Sequence, residues 1–230
     1  MNSARLRYRD EIPGYYVWWL HAACDVTFAL AVVLFAISRV ENLTTFEALA
    51  VPVGFLWANV GEYFLHRYPM HRPLWPLRFA YDRHAVLHHS VFTHEDMGMR
   101  SPRELRWVLF PAFTVPGLVI GMLPVALAVG LLVTTNAGWL ALVVTASYYL
   151  LYEFLHTAYH LPADTWLARR KAIAFLRKQH QTHHHPQLMT RCNFNVTFPL
   201  TDAAMGTWAK TVPAPMRTAT ESSPFSTLAS

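Results

Sequence analysis

The sequence predicts an all-α integral membrane protein, with about four transmembrane helices and a cytosolic helical cap. Three observations predict it. Apolar residues make up 53% of the 230 residues and gather into runs of about twenty, enough helix to cross a hydrocarbon core of ~30 Å. Charged residues are only 14%, well below the roughly 25% of soluble domains. Arginine and lysine sit almost wholly between and after the apolar runs.

Taken in order, residues 1–14 are polar and carry Arg5, Arg7 and Arg9. The first apolar run covers residues 17–38. No small-residue cleavage site closes it, so it reads as a retained anchor rather than a signal peptide. A loop at 41–45 leads to a second run at 46–65. Residues 66–106 are polar and hold Arg67, Arg72, Arg78, Arg83, Arg100, Arg103 and Arg106. The next stretch, 107–134, is broken by Pro111, Pro116 and Pro124, which suggests an interfacial lead-in and a span from about residue 115. Asn136, Ala137 and Gly138 read as a tight turn. The fourth run, 139–155, should continue as helix to His160 and stop before Pro162. The remainder is basic, with Arg169, Arg170, Lys171, Arg177 and Lys178. Residues 1–210 read as one membrane domain and 211–230, rich in Ser, Thr and Pro, as a loose tail.

The net charge of +5 follows the positive-inside pattern rather than a nucleic-acid-binding one. The three basic segments fall on one side, the cytoplasm, and the nearly uncharged turns on the other. A bacterial inner membrane is favoured over the endoplasmic reticulum. The two cysteines, Cys24 and Cys192, offer neither a disulfide framework nor a paired metal motif.

The thirteen histidines are the anomaly, because twelve of them lie in four short stretches. These are His66 and His71; His84, His88 and His89 with His94; His156 and His160; and His180, His183 and His184 with His185. Pairs spaced i,i+4, such as His84/His88, His156/His160 and His180/His184, project from one helical face. Adjacent pairs such as His88–His89 and His183–His184 diverge by about 100° on a helix and reach two different ions more easily than one. The spacing of five between His66 and His71 falls poorly on one face, and Pro69 between them suggests that the helix ends there. All four clusters lie at or beyond the same ends of the spans, so they can converge.

Imidazole suits iron, copper and zinc. Ten imidazoles exceed any tetrahedral zinc site, whereas two metals with about five nitrogens each would use them. The candidate ligands are His66, His71, His84, His88, His89, His156, His160, His180, His183 and His184. Glu62, four residues before His66, and Glu153, three before His156, are candidates to orient an imidazole from outside the ligand set. His94 and His185 are candidates for the same supporting role. His21, beside Asp25 at i,i+4, reads as an ordinary buried histidine.

His66-x4-His71, His84-x3-His88-His89, His156-x3-His160 and His180-x2-His183-His184, together with the segment from Asn193 to Thr207 (NFNVTFPLTDAAMGT), resemble the membrane fatty acid hydroxylase/sterol desaturase superfamily. The resemblance covers residues 45–208. It departs from part of the family in having three residues, not two, before the His88–His89 pair. It implies a four-helix membrane domain whose cytosolic cap carries two iron ions (zinc is possible as purified) on the ten histidines. It also implies O2-dependent hydroxylation of an unactivated C–H bond in a fatty acyl, sterol or related lipid.

Desaturation, or carotenoid hydroxylation, on the same centre is the alternative. No Rossmann fingerprint or haem or flavin module is legible, so electrons are expected from an external donor protein, docking on the basic cytosolic surface. A metal transporter or storage protein is the competing class, although a transport site belongs near mid-membrane. A zinc hydrolase would need a His-Glu-x-x-His motif, which the sequence lacks.

Overall fold

The computed structural model describes residues 3–210, and the regular structure among them is helical. In chain order the helices are α1 (Ser3–Arg9), α2 (Trp18–Ile37), α3 (Thr45–Met70), α4 (78–91), α5 (Leu105–Val108), α6 (Thr114–Leu132), α7 (Thr135–His160), α8 (Lys171–His183) and α9 (Leu200–Ala204). Four of them, α2, α3, α6 and α7, are long and apolar enough to cross a membrane, as the apolar runs predict. The tail expected at 211–230 lies outside the described residues.

Burial runs opposite to that of a soluble protein. Leu132 is 84% exposed and Leu131 76%, while Asn59 and Glu62 are buried. A bilayer makes sense of this, since it covers the leucines and penalises polar groups that face it. α7 is the central post. In its most apolar stretch 61% of residues are buried, against 17% in each of the other three spans, and all three pack on it.

The turn expected at Asn136–Gly138 is instead the first turn of α7. Thr134 caps that helix, its Oγ1 accepting the Ala137 N–H at 3.2 Å. The Asn136 side chain ties back to the loop before α3, accepting the Glu41 N–H at 3.1 Å and donating to the Glu41 carbonyl at 2.7 Å. Gly138 is there for packing. A Cβ on it would lie 2.6 Å from the Ala126 carbonyl oxygen and 2.9 Å from the Gly130 Cα, so α6 and α7 touch backbone to backbone.

The other departures lie at the end of α3 and in the middle of α4. His66–Met70 and Asp82–His88 wind as π-helix, not α. The Pro69 nitrogen has no hydrogen to donate, and the chain widens there rather than breaking.

The cap is built from α4, α5, α8, the chain after α8, and α1. Arg5, one of the three arginines of the polar N-terminal segment, is buried. It pairs with Glu104 at 2.5 Å and with Asp96 at 3.7 Å, and its guanidinium lies 5.1 Å over the Phe92 ring. Phe92 belongs to a core cluster with Ile12, Val91 and Trp107.

Candidate metal centre

Each of the ten predicted histidines is buried, and nine of them fall into two groups. His66, His71, His84, His89 and His183 form one; His88, His156, His160 and His180 form the other. Within a group the candidate ligand atoms all lie within 4.8 Å of one another. His184 joins the second group through its Nε2, 3.0 Å from that of His180, and its ring stacks on His89 of the first at 4.1 Å. Each set then holds five imidazoles. Adjacent His88 and His89 go to different groups, as do His183 and His184, which is the divergence that helical geometry requires.

The π turns decide which spacings work. His66 and His71, five apart, stack with ring centroids 5.1 Å apart. His84 and His89, also five apart, bring their Nε2 atoms to 3.1 Å. A wider turn places residues five apart on one face, so the first-box spacing that fits an α-helix poorly fits this one. His84 and His88, spaced for one α-helical face, stack at 5.2 Å yet fall into different groups.

Backbone carbonyls hold the rings. Nδ1 of His88 donates to the Trp107 carbonyl at 2.8 Å, that of His160 to Met97 at 2.9 Å, that of His183 to Cys192 at 2.9 Å and that of His184 to Phe92 at 2.6 Å; His66 makes the same bond to Phe194. A proton fixed on Nδ1 leaves a lone pair on Nε2, the atom that faces the centre. Nε2 atoms meet at 2.8 Å between His66 and His84, 3.0 Å between His71 and His183, 3.2 Å between His160 and His180, and 3.3 Å between His88 and His156. So many lone pairs crowded together suit cations at their centre.

The rings also resist protonation. Burial first, with neighbouring His183 and His88 adding to it, pushes His71 down to about 2. Burial pushes His88 down to about 3 and His183 to about 4, each opposed by its carbonyl bond. Neutral imidazoles are what a metal binds. The donor set therefore fits two nitrogen-ligated metal ions.

The hydrogen bonds of the two glutamates go to backbone N–H groups and to tyrosine, threonine and asparagine side chains. Glu62 accepts hydrogen bonds from the N–H groups of Val196 (2.5 Å) and Thr197 (3.0 Å), from the Tyr148 hydroxyl (2.6 Å) and from Asn195 Nδ2 (3.2 Å). It anchors the strap at 192–207, whose Phe194 carbonyl holds His66. Glu153 accepts the Phe110 N–H at 2.9 Å and the Tyr149 hydroxyl at 3.0 Å, fixing the segment whose Trp107 carbonyl holds His88. His94 and His185 lie outside both groups and pack on each other, 4.6 Å between centroids. His21 stays apart, between the Tyr16 hydroxyl (3.0 Å) and the Phe110 carbonyl (2.9 Å).

Spacing does not reveal Asn59 and Asp202, which complete the strap. Asn59 donates to Tyr148 and to the Phe198 carbonyl, and accepts from Thr201. Asp202 receives the Phe194 and Asn195 N–H groups at 3.1 and 2.7 Å. Asp202 lies in the Asn193–Thr207 segment that the sequence singles out, whereas Asn59, in α3, has no such signal.

A cavity of about 670 Å³ leads from the centre into the bundle. Its walls are helical stripes: Ala50, Gly54, Trp57 and Gly61 on α3; Leu118, Met122, Val125 and Val129 on α6; Ala137, Ala141, Val144 and Tyr148 on α7. At its inner end stand His66 and His84 of one group and His88 and His156 of the other.

The model of the fatty acid hydroxylase family matches residues 51–207, more than half of the chain, and that range contains every one of the ten histidines. The chain belongs to the fatty acid hydroxylase family. The match begins within α3 and ends at the strap, so α1 and α2 lie before the part that the family pattern describes. The chain matches none of the curated proteins and none of the solved structures compared with it. Family membership makes it an oxidoreductase by class, and four candidate spans fit a multi-pass membrane protein.

Proposed function

We propose that this protein is a membrane-bound di-iron oxygenase that uses O2 to hydroxylate an unactivated C–H bond of a lipid. One observation carries the reading: histidines of both groups stand at the inner end of an apolar cavity among the membrane helices. Two iron ions held on the ten histidines would supply O2 activation and the oxidation of carbon. The chain's own residues do the rest. The α3, α6 and α7 stripes bind the hydrocarbon, exclude water and hold one carbon near the histidines, while the carbonyl-bound Nδ1 atoms keep Nε2 turned inward.

The basic segments meet at the histidine end, which faces the cytoplasm in this reading, and an external electron-donor protein docks there. A metal transporter is disfavoured because the histidines cluster at one end of the spans, not at their middle.

The test is lipid analysis of cells with and without the gene, in air and without O2. An O2-dependent product one oxygen heavier than its precursor supports hydroxylation. Loss of two hydrogens would move the reading to desaturation on the same centre, and no O2-dependent difference would overturn it. Full turnover by purified enzyme with a chemical reductant and no carrier protein would remove the donor from the scheme.

A further inference from the structure

Three arginines at the histidine end gather without an acidic partner. Arg5, Arg78 and Arg100 each pair with a carboxylate. Among the described residues, no carboxylate pairs with Arg83, Arg103 or Arg106. All three act on Tyr16. The Arg106 guanidinium lies over its ring, 5.4 Å from the centroid. Burial pushes the Tyr16 hydroxyl up to about 12, and the charges of Arg106, Arg83 and Arg103 pull against that shift. Burial first, and then the like charge of Arg106, lowers the Arg83 guanidinium.

Backbone carbonyls hold the cluster in place. Arg83 Nη2 donates to the Arg106 carbonyl at 2.7 Å and to that of Leu109 at 3.5 Å, and Arg103 Nη2 donates to the Pro13 carbonyl at 2.8 Å. These bonds position the guanidiniums but cancel none of their charge. Glu153 acts on Arg83 without pairing with it, its Oε1 being taken by the Phe110 N–H and the Tyr149 hydroxyl.

A topology signal requires only a basic residue in the loop. Arg83 is more than that. It is half-buried and stands in the cavity wall, next in sequence to His84. Glu62, in the same wall, has its oxygens engaged by the strap. The cluster also sits at headgroup depth, because Tyr16 lies two residues before α2 and Arg106 eight before α6. Positive charge without a counterion, beside an apolar cavity and at that level, matches an oxyanion carried on a hydrocarbon.

We propose that the substrate lipid carries an anionic headgroup, a phosphate or a carboxylate, bound by Arg83 in the cavity wall and supported by the charges of Arg106 and Arg103. That this lipid is the substrate rests on the oxygenase reading; the anion site does not. The planar fork of a guanidinium matches two oxygens of either group, and partial exclusion of water strengthens the attraction.

The test uses the full chain as purified in a neutral detergent and three probes with one tail: dodecyl phosphate, dodecanoate and dodecanol. Native mass spectrometry over a concentration series reads binding. Wild type should bind one or both anions about tenfold or more tighter than the alcohol, the scale of a charge-assisted pair. Arg83→Gln and Arg106→Gln should each shrink that ratio and leave dodecanol binding unchanged, and Arg83→Lys should restore part of it. If Arg83 only braced the 106–109 segment, its Gln variant would weaken all three probes alike with the ratio intact. That result, a ratio of one in wild type, or an undiminished ratio in both Gln variants overturns the proposal. Displacement of the bound anions by equimolar inorganic phosphate would overturn the assignment to a lipid. A product-forming lipid with an uncharged headgroup, found by comparing cells with and without the gene, would overturn the assignment to the substrate. No O2-dependent difference in those cells would count against the oxygenase reading and leave the anion site standing.

Discussion

Glu62 accepts the Thr197 N–H at 3.0 Å across 135 positions of sequence, and this bond joins the end of α3 to the strap that holds two of the histidines. The carboxylate also takes the Val196 N–H and the Tyr148 hydroxyl. The strap in turn presents the Cys192 carbonyl to His183 and the Phe194 carbonyl to His66.

Glu62→Gln replaces an acceptor oxygen with a donor that faces other donors. Leaving such groups unsatisfied costs about 1–3 kcal/mol. The variant should melt earlier in detergent and bind metal about 10–100-fold more weakly, the usual effect of loosening a ligand's support. Thermal melting with metal titration checks this; unchanged affinity would mean that the strap does not position His66 and His183.

Arg5→Leu leaves Glu104, 4% exposed, without its partner. Breaking a buried pair on one side costs about 3–5 kcal/mol. Arg5→Leu with Glu104→Leu should recover part of that loss. Melting temperatures of the single and double variants test whether α1 is built into the cap.

Two glycines at the far end of the bundle should respond differently. Gly138→Ala forces a Cβ to 2.6 Å from the Ala126 carbonyl oxygen and should destabilise by about 1–3 kcal/mol, the cost of overpacking. At Gly130 the nearest atom to an added Cβ is 3.8 Å away. Gly130→Ala should be neutral, or stabilising by up to about 1 kcal/mol through helix propensity.

Acid should undo the centre. His71, His88 and His183 are held at about 2, 3 and 4 by burial, below the ~6.5 of an unfolded histidine. Below that value the unfolded chain binds more protons than the folded one, so stability falls as pH falls. For these three groups the contribution is fully present above pH ~6.5 and is lost progressively as pH falls through 6.5 towards the folded values. Protons compete with metal in the same direction. Melting temperature and retained metal should both be flat from pH 8 to 7 and decline together on acidification; metal retained undiminished at pH 4 would contradict a histidine-only ligand set.

Much of this was legible in the sequence because membranes and metals both impose simple patterns. Apolar runs mark the spans, and α2 at Trp18–Ile37 lies one residue inside the run at each end. Histidine spacing marks the ten residues that converge. Three features were not legible, each for a physical reason. Asn136 and Gly138 look like turn residues, yet one serves a tertiary hydrogen bond and the other a helix contact, neither of which has a local signature. The His66–His71 spacing is judged against an α-helix, and nothing in the residues announces a π turn except Pro69. The imidazoles are oriented by backbone carbonyls, which every residue possesses, so Glu62 and Glu153, spaced to share a helical face with His66 and His156, act one step further out.

Metal content of the purified protein bears most directly on the paired histidine groups. Mass-spectrometric metal analysis, with Mössbauer spectroscopy on iron-57-grown material, should find about two coupled irons per chain, and His88→Ala or His184→Ala should lose metal while still inserting in the membrane. A single zinc per chain, with activity that persists under strict anaerobiosis, would contradict it.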